Sequence, residues 1–325
     1  MKYLITGGAG FIGSNLADQL IENGHKVVVI DDLSTGRLEN INHLSDNDNF
    51  EYHVANIMNY GLLEYLVEQA DIVYHLAAAV GVRLIMENPV ETIITNVRGT
   101  ENVLEACSKH NKKVLIASTS EVYGKLQELN GGIDLLNEED DWMLGPTSKR
   151  RWAYAASKSL DEFLSLAYYD EKKLPVVIVR LFNTVGPRQR SRYGMVLPNF
   201  VKRALLNEKI TVHGDGEQTR SFTYIDDVTW ALTELMEREG VFGQIYNLGN
   251  GEEISINELA ELVKEKADSK SEIVHIPYEE VYGPGFEDMQ RRTPDITKIQ
   301  EAIGYEPQYN INEIVERVIK YYRTR

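Results

Sequence analysis

Thr6-Gly7-Gly8-Ala9-Gly10-Phe11-Ile12-Gly13 follows an apolar run over residues 2–6 and leads into a helical pattern. In this setting Gly7 permits a tight turn, Gly10 lets the backbone approach a pyrophosphate, and Gly13 lets the helix pack on the sheet. The free N–H groups at the helix N-terminus would bind the phosphates. A strand–turn–helix context makes the glycine pattern specific, so it predicts a dinucleotide site. The candidate residues are Gly7, Gly10, Phe11, Ile12 and Gly13.

Two carboxylates lie at the end of the second apolar run: Asp31 is the last residue of the run 26–31, and Asp32 follows it. A carboxylate at the end of this strand accepts hydrogen bonds from the adenosine ribose and repels a 2′-phosphate. Asp31 is placed for that role, and Asp32 adds to the repulsion. The pair predicts NAD rather than NADP.

The first two-thirds of the chain alternate between apolar runs and helical patterns. The runs are continuous, as in strands buried on both faces, and their alternation with helices is typical of a parallel, doubly wound α/β sheet. The predicted strands are Lys2–Thr6, Lys26–Asp31, Phe50–Val54, Asp71–Leu76, Lys113–Thr119, Val176–Phe182 and Gly243–Gly249. The predicted helices are Ser14–Glu22, Tyr60–Glu68, Val90–Lys109, Tyr154–Glu171, Ile256–Ala267 and Ile311–Tyr322, with Ser255 and Glu258 as a capping box.

The composition excludes several classes of protein. The chain has 325 residues, of which 43% are hydrophobic and 26% charged, so it can build a large core and is not mainly disordered. A single cysteine argues against a disulfide framework or a multi-cysteine zinc site, and no metal site is predicted. The net charge of −16 repels nucleic acid and anionic membranes. The N-terminus enters a strand without a leader-like apolar segment, so we expect a cytoplasmic protein.

A second chemical pattern is Tyr154-Ala155-Ala156-Ser157-Lys158. The i, i+4 spacing puts Tyr154 and Lys158 on one helix face. An ammonium near a phenol lowers the pKa of the phenol, so Tyr154 could accept the proton of a substrate hydroxyl. Lys158 could also hold a cofactor ribose. Thr119, at the end of a strand, could point its hydroxyl at the same substrate oxygen.

These residues and several others together resemble the extended short-chain dehydrogenase/reductase family, the NAD-dependent nucleotide-sugar epimerases and dehydratases. The resemblance spans nearly the whole chain. The segments that carry it are Thr6–Gly13, Asp31–Ser34, His75–Ala78, Ser118–Gly124, Tyr154–Lys158, Arg180–Arg188 and Gln218–Asp227.

The resemblance implies a Rossmann-type NAD-binding domain over residues 1–182, to which 221–250 return. Residues 183–220 and 251–325 would form a smaller α/β domain for a nucleotide diphosphosugar. Thr119, Tyr154 and Lys158 match the family's catalytic positions, and relatives pair two long helices into a homodimer. Further cofactor-binding positions implied are Leu33, Ser34, Asn56, Ile57, Leu76, Ala77, Ala78 and Asn96. Asn56 departs from the aspartate of many relatives.

The same resemblance implies a substrate site. Arg220 and Arg292 would clamp the diphosphate, because guanidinium forks match phosphate oxygens. Arg188 is a weaker third candidate, and Arg291 could replace Arg292. Other substrate-binding positions implied are Arg83, Ser120, Asn183, Val196, Leu197, Thr211 and His213. Residues 125–151 form an insertion that either covers the sugar pocket or has no role.

The reaction is left open by the sequence. Oxidation at C4 of the sugar is common to the family, and Glu121 in Thr119-Ser120-Glu121 is typical of decarboxylases and dehydratases. A carboxylate there could move a proton at C5 or C6. The motifs around Tyr154 and Arg83 resemble epimerases instead. The sequence favours a UDP-sugar 4-epimerase, with a UDP-glucuronate decarboxylase or a 4,6-dehydratase as the alternative. A non-catalytic NAD(H)-binding sensor is a remote third hypothesis.

Overall fold

A seven-stranded parallel sheet forms the centre of the computed structural model, which describes residues 1–80, 88–128, 134–191, 195–283 and 288–324. The described residues contain the following strands, seven of which form the large sheet: β1 (Lys2–Thr6), β2 (Lys26–Asp31), β3 (Phe50–Val54), β4 (Ile72–His75), β5 (Lys113–Thr119), β6 (Val176–Leu181), β7 (Thr184–Val185), β8 (Ile210–His213), β9 (Thr219–Ser221), β10 (Thr223–Tyr224), β11 (Gln244–Leu248), β12 (Glu253–Ser255) and β13 (Ile273–Ile276).

The order of strands in the large sheet is β11-β6-β5-β4-β1-β2-β3, and every pairing in it is parallel. The chain winds outward from β1 in one direction through β2 and β3, then in the other from β4 to β6. The direction reverses between β1 and β4, and ligands of such sheets bind at the carboxyl ends of the strands beside that point. The predicted Rossmann-type doubly wound fold is therefore confirmed.

Helices cover both faces of this sheet. The α-helices in the described residues are α1 (Phe11–Glu22), α2 (Tyr60–Gln69), α3 (Pro89–His110), α4 (Trp152–Lys172), α5 (Val196–Leu205), α6 (Ile225–Glu237), α7 (Ile256–Lys266), α8 (Tyr278–Tyr282), α9 (Thr297–Ile303) and α10 (Ile311–Arg323). Helices α2, α3 and α4 pack together on one face, whereas α1 and α6 pack on the other. Successive residues of β1 feed these two layers: Tyr3 and Ile5 join one apolar cluster and Leu4 the other.

A smaller α/β part is built from elements that lie before and after β11 in the chain. Helices α5, α7 and α10 contact one another, β8 pairs with β13, and β9 pairs with β12. Helix α7 begins with the predicted capping box of Ser255 and Glu258. The helices α5, α6, α8 and α9 and the short strands β7 to β10, β12 and β13 were not predicted. Within the described residues, no helix is both long and apolar enough to cross a bilayer.

Candidate active site

The glycine loop between β1 and α1 leaves no room for side chains. Gly7 has φ +72°, and a Cβ built on it would lie 2.7 Å from the backbone nitrogen of Ala77. A Cβ on Gly13 would lie 2.5 Å from the carbonyl oxygen of Gly7. Helix α1 starts at Phe11, earlier than predicted, and its N-cap Gly10 offers no side chain to cap it. The first-turn N–H groups therefore face a bare cradle that fits a pyrophosphate.

The Asp31 and Asp32 carboxylates organise the loop after β2. Asp31 accepts the backbone N–H of Ala9 at 3.0 Å and that of Leu33 at 2.8 Å. Burial raises its pKa, although those two N–H groups oppose the rise. Asp32 accepts the backbone N–H of Ser34 at 2.9 Å, and its second oxygen accepts from Asn56 at 2.7 Å. Two carboxylates thus lie at the carboxyl end of β2, where a ribose hydroxyl binds and a 2′-phosphate would be repelled.

A buried polar row supports the carboxyl end of β4. His75 Nδ1 lies 2.8 Å from Thr6 Oγ1, and its Nε2 lies 3.1 Å from Thr100 Oγ1. Burial, aided by the charge of Lys158, lowers the pKa of His75 to about 3. A neutral His75 therefore joins β1, β4 and α3 at the back of the site.

The half-buried segment 76–79 follows this row. The backbone N–H of Ala77 donates to Thr6 Oγ1 at 3.3 Å, and that of Ala79 donates to Asn96 Oδ1 at 2.8 Å. Asn96 also donates to Ser157 at 3.1 Å, which ties this segment to helix α4. Leu76 and Ala78 lie in the same segment. Ile57 is buried beneath α3, where Asn102 donates to its carbonyl at 3.3 Å.

Tyr154 and Lys158 lie in helix α4, and both are buried. Tyr154 is hydrogen-bonded to the Thr119 side chain, which brings the two predicted hydroxyls together. The expected effect of Lys158 on Tyr154 is wrong for this arrangement. Burial and the charge of Glu121 raise the pKa of Tyr154, and the Lys158 ammonium donates to Asp161 at 2.7 Å. The ammonium of Lys158 is therefore paired with Asp161, one helical turn further on, and not with the phenol of Tyr154 as the sequence predicted.

Glu121 lies directly after the Thr119 strand, between two guanidinium groups. Arg151 Nη1 donates to its Oε2 at 2.7 Å, and Arg292 Nη1 donates to its Oε1 at 3.0 Å. Burial opposes ionisation of Glu121, but the charges of Arg151 and Arg292 outweigh burial and lower its pKa to about 2. The site therefore holds a permanent carboxylate close to Tyr154.

A second carboxylate, Asp288, extends this cluster. It accepts from Arg151 at 3.1 Å and from Arg220 at 3.0 Å. Arg292 also donates through Nη2 to Asn183 Oδ1 at 2.7 Å. Two of the predicted clamp residues, Arg220 and Arg292, are thus brought to one buried cluster. Arg188 and Arg291 lie elsewhere, because Arg188 pairs with Asp18 and Arg291 pairs with Glu253.

The remaining predicted substrate positions lie in several different elements of the chain. Val196 and Leu197 open helix α5, and Leu197 is fully buried. Thr211 and His213 lie on β8, where burial lowers the pKa of His213. Ser120 is buried at the end of β5. Arg83 lies outside the described residues.

The insertion 125–151 borders this cluster on two sides. The backbone N–H of Leu136 donates to the carbonyl of Thr293 at 2.9 Å, and that of Asp295 donates back to Leu136 at 2.8 Å. The N–H of Met143 donates to the carbonyl of Tyr123, two residues after Glu121, at 3.2 Å. The insertion is thus bonded to the segments that carry Arg292 and Glu121, and it supplies Arg151 itself.

Sequence reasoning missed Arg151, Asp161 and Asp288. A signal existed for Arg151, which lies three residues before Tyr154 and so on the same helix face. Asp161 has the matching position three residues after Lys158. Asp288 has no local signal, because only the tertiary fold brings it to Arg151.

Comparison with known proteins identifies the family. Residues 4–318 match the family described as GDP-mannose 4,6 dehydratase. The chain belongs to this family. It is 43% identical over 323 residues to a UDP-N-acetyl-alpha-D-glucosaminuronate decarboxylase of Bacillus cytotoxicus, covering 99% of this chain and 98% of that one. It is 37% identical over 322 residues to UDP-glucuronic acid decarboxylase 1 of Xenopus tropicalis, covering 99% of this chain and 72% of the relative.

A solved structure is similar over the whole chain. It is the UDP-glucuronic acid 4-epimerase of Bacillus cereus in complex with UDP-glucuronic acid and NAD, with a TM-score of 0.87 and 30% identity. The match covers 100% of this chain and 99% of that one. The chain is therefore an extended short-chain dehydrogenase/reductase of the nucleotide-sugar epimerase and dehydratase type.

Proposed function

We propose that this protein is an NAD-dependent decarboxylase of a UDP-activated hexuronic acid. The observation that carries the proposal is Glu121, fixed between Arg151 and Arg292 directly beside the Thr119–Tyr154 pair. Both sequence relatives described above are named as decarboxylases of UDP-uronic acids. The sequence favoured a UDP-sugar 4-epimerase, and we replace that preference with its alternative, the UDP-glucuronate decarboxylase.

The glycine cradle and the Asp31 carboxylate fit NAD, and they would hold its pyrophosphate and adenosine ribose. When bound, NAD supplies reversible hydride acceptance at C4 of the sugar. The chain's own contribution begins at Tyr154, which would accept the proton of the C4 hydroxyl as the phenolate. Burial and Glu121 oppose that ionised form, whereas the hydrogen bond from Thr119 and the positive charge of bound NAD would favour it. Lys158 lies one turn after Tyr154 on the same helix face, and Asp161 lies two turns after it. Lys158 would hold the nicotinamide ribose.

A ketone at C4 makes the C6 carboxylate a β-keto acid. When the C5–C6 bond breaks, carbon dioxide leaves and the electron pair moves into an enolate at O4. The hydroxyls of Tyr154 and Thr119 can donate to that oxygen, which stabilises the developing charge. A proton from solvent then replaces the lost group at C5.

The role of Glu121 differs from the one expected from sequence. With a pKa of about 2 it is too weak a base to move a proton by itself near neutral pH. Its carboxylate instead orients Arg292, whose guanidinium is also bonded to Asn183. We infer that Arg292, so oriented, binds the charged groups of the substrate.

Incubation with NAD and UDP-glucuronic acid, and separately with its 2-acetamido analogue, tests the proposal. We expect carbon dioxide and a UDP-pentose or UDP-2-acetamido-pentose, identified by mass spectrometry and NMR. Formation of the 4-epimer alone, with the carboxylate retained, would return the assignment to an epimerase.

We also propose a homodimer. Helices α3 and α4 pack on each other, yet they expose apolar side chains, including Ile93 and Phe163, the latter 61% exposed. A second copy could cover this face. The cytoplasmic location and the division into domains stay predictions.

A further inference from the structure

The buried arginines and carboxylates of the site alternate along a row. Its order is Arg292, Glu121, Arg151, Asp288 and Arg220. The successive ion pairs measure 3.0, 2.7, 3.1 and 3.0 Å. The row has three guanidinium groups and two carboxylates, so its net charge is +1, and each ion in it has a partner of opposite charge.

Arg151 lies in the middle of this row, and contacts with several neighbouring side chains fix its position. Its side chain is 6% exposed, and a carboxylate lies at each end of its guanidinium. The guanidinium carbon also lies 4.9 Å from the centre of the Trp152 ring. A planar guanidinium can hold all of these contacts at once, whereas an ammonium cannot.

Arg292 has competing partners. It bonds Glu121 through Nη1 and Asn183 through Nη2, and its Nε is buried without a hydrogen-bond partner among the described residues. A group that must also receive substrate anions cannot be the permanent partner of Glu121. Arg151 can, because its other partner is Asp288.

The helix brings Arg151 to the reacting groups. Arg151 is the N-cap residue of α4, and Tyr154 and Lys158 follow at i+3 and i+7. Residues with this spacing lie on one helix face. The same rigid element therefore positions the phenol that accepts the proton and the cation that holds Glu121.

We propose that Arg151 is a positioning residue that holds the Glu121 carboxylate in one orientation while Arg292 engages the substrate. This inference rests on the decarboxylase proposed above. It assigns Arg151 no contact with the substrate, so its effect must pass through Glu121.

A double-mutant cycle tests that dependence. The variants are Arg151→Met, Glu121→Gln and the two combined, with Arg238→Met, at an arginine whose side chain is 54% exposed, as the matched control. The measurement is carbon dioxide release under substrate saturation, and NAD affinity is measured in parallel. We expect Arg151→Met and Glu121→Gln each to lose on the order of 10²-fold, because Arg292 and the substrate that it binds would be misplaced in both.

The combined variant should be no more than about twofold slower than Glu121→Gln, because residues acting through one another are not additive. The control and the NAD affinity should be unchanged. Full additivity, or an Arg151→Met variant as fast as wild type, would contradict the proposal. If Arg151→Met does not fold, Arg151→Lys replaces it in the same cycle. Arg151→Lys should then slow carbon dioxide release in the wild-type background but not in the Glu121→Gln background.

Infrared spectroscopy gives a readout independent of the reaction. The charged and titratable groups that face Glu121 are Arg151, Arg292 and Tyr154. Without Arg151, the pKa of Glu121 should rise from about 2 towards its ordinary value. A protonated carboxyl band should then appear near pH 4 in the difference between the spectra of Arg151→Met and the combined variant, which cancels the other carboxyl groups. The difference between wild type and Glu121→Gln should lack that band at the same pH.

The two proposals can therefore fail separately. A wild type that releases no carbon dioxide would remove the decarboxylase, yet the infrared titration would still test the Arg151–Glu121 pair. A wild-type spectrum with Glu121 protonated near pH 4 would overturn the role of Arg151 whatever the product.

Discussion

The Lys158–Asp161 pair allows a quantitative prediction for Asp161→Ala. The two charged atoms lie 2.7 Å apart, and the side chains are 2% and 0% exposed. Removing the carboxylate leaves the ammonium in a site without water access, where it must either remain charged or lose its proton.

The magnitude follows from these two possibilities. Breaking a buried pair by removing one partner costs about 3–5 kcal/mol. Deprotonating a lysine at pH 7 from its ordinary pKa costs about 5 kcal/mol, at about 1.4 kcal/mol per pKa unit, which sets an upper limit. We therefore expect Asp161→Ala to lower the free energy of unfolding by about 3–5 kcal/mol.

Urea denaturation of the variant and of two controls provides the assay. Glu234→Ala breaks an exposed pair at 3.6 Å, from Arg238 to Glu234, and should cost less than about 1 kcal/mol. Asp161→Leu combined with Lys158→Met removes both charges and should recover most of the stability, although not the activity. A loss for Asp161→Ala no larger than that for Glu234→Ala would refute the reasoning.

Four further predictions follow from the site. Tyr154→Phe should keep the fold and NAD binding but lose roughly 10²–10⁴-fold in turnover, because the group that accepts the C4 hydroxyl proton is gone; near-normal turnover would remove Tyr154 from the mechanism. NAD(H) should bind more tightly than NADP(H) because Asp31 and Asp32 repel a 2′-phosphate, and equal affinities by calorimetry would contradict this. The pKa of His75 falls to about 3 on folding, so the unfolded chain binds its proton first and stability should fall as pH falls from about 6.5 to about 3, by up to about 1.4 kcal/mol per pH unit; His75→Gln should lose this dependence in urea titrations at several pH values. Light scattering should find a dimer that Phe163→Asp weakens, and a monomeric wild type at micromolar concentration would exclude the dimer.

The central sheet could be predicted closely from sequence because its strands are continuous apolar runs. Strands β1, β2, β3 and β5 have the predicted bounds. Short strands such as β7, with two residues, carry no periodic signal and were missed.

The candidate site was predictable only in part. The glycine loop and Tyr154 carry local motifs. The charges around these residues carry no local motif. The i, i+4 spacing of Tyr154 and Lys158 does not indicate that the Lys158 ammonium pairs with Asp161. The Glu121–Arg151–Asp288 contacts join residues far apart in the chain, so only the tertiary fold reveals them.

The account depends most on the fate of the C6 carboxylate. The direct measurement is release of labelled carbon dioxide when the wild type with NAD receives UDP-glucuronic acid, or its 2-acetamido analogue, labelled at the carboxyl carbon. We predict that label leaves as carbon dioxide in step with formation of a UDP-pentose product. Full retention of the label in a turned-over product would contradict the decarboxylase.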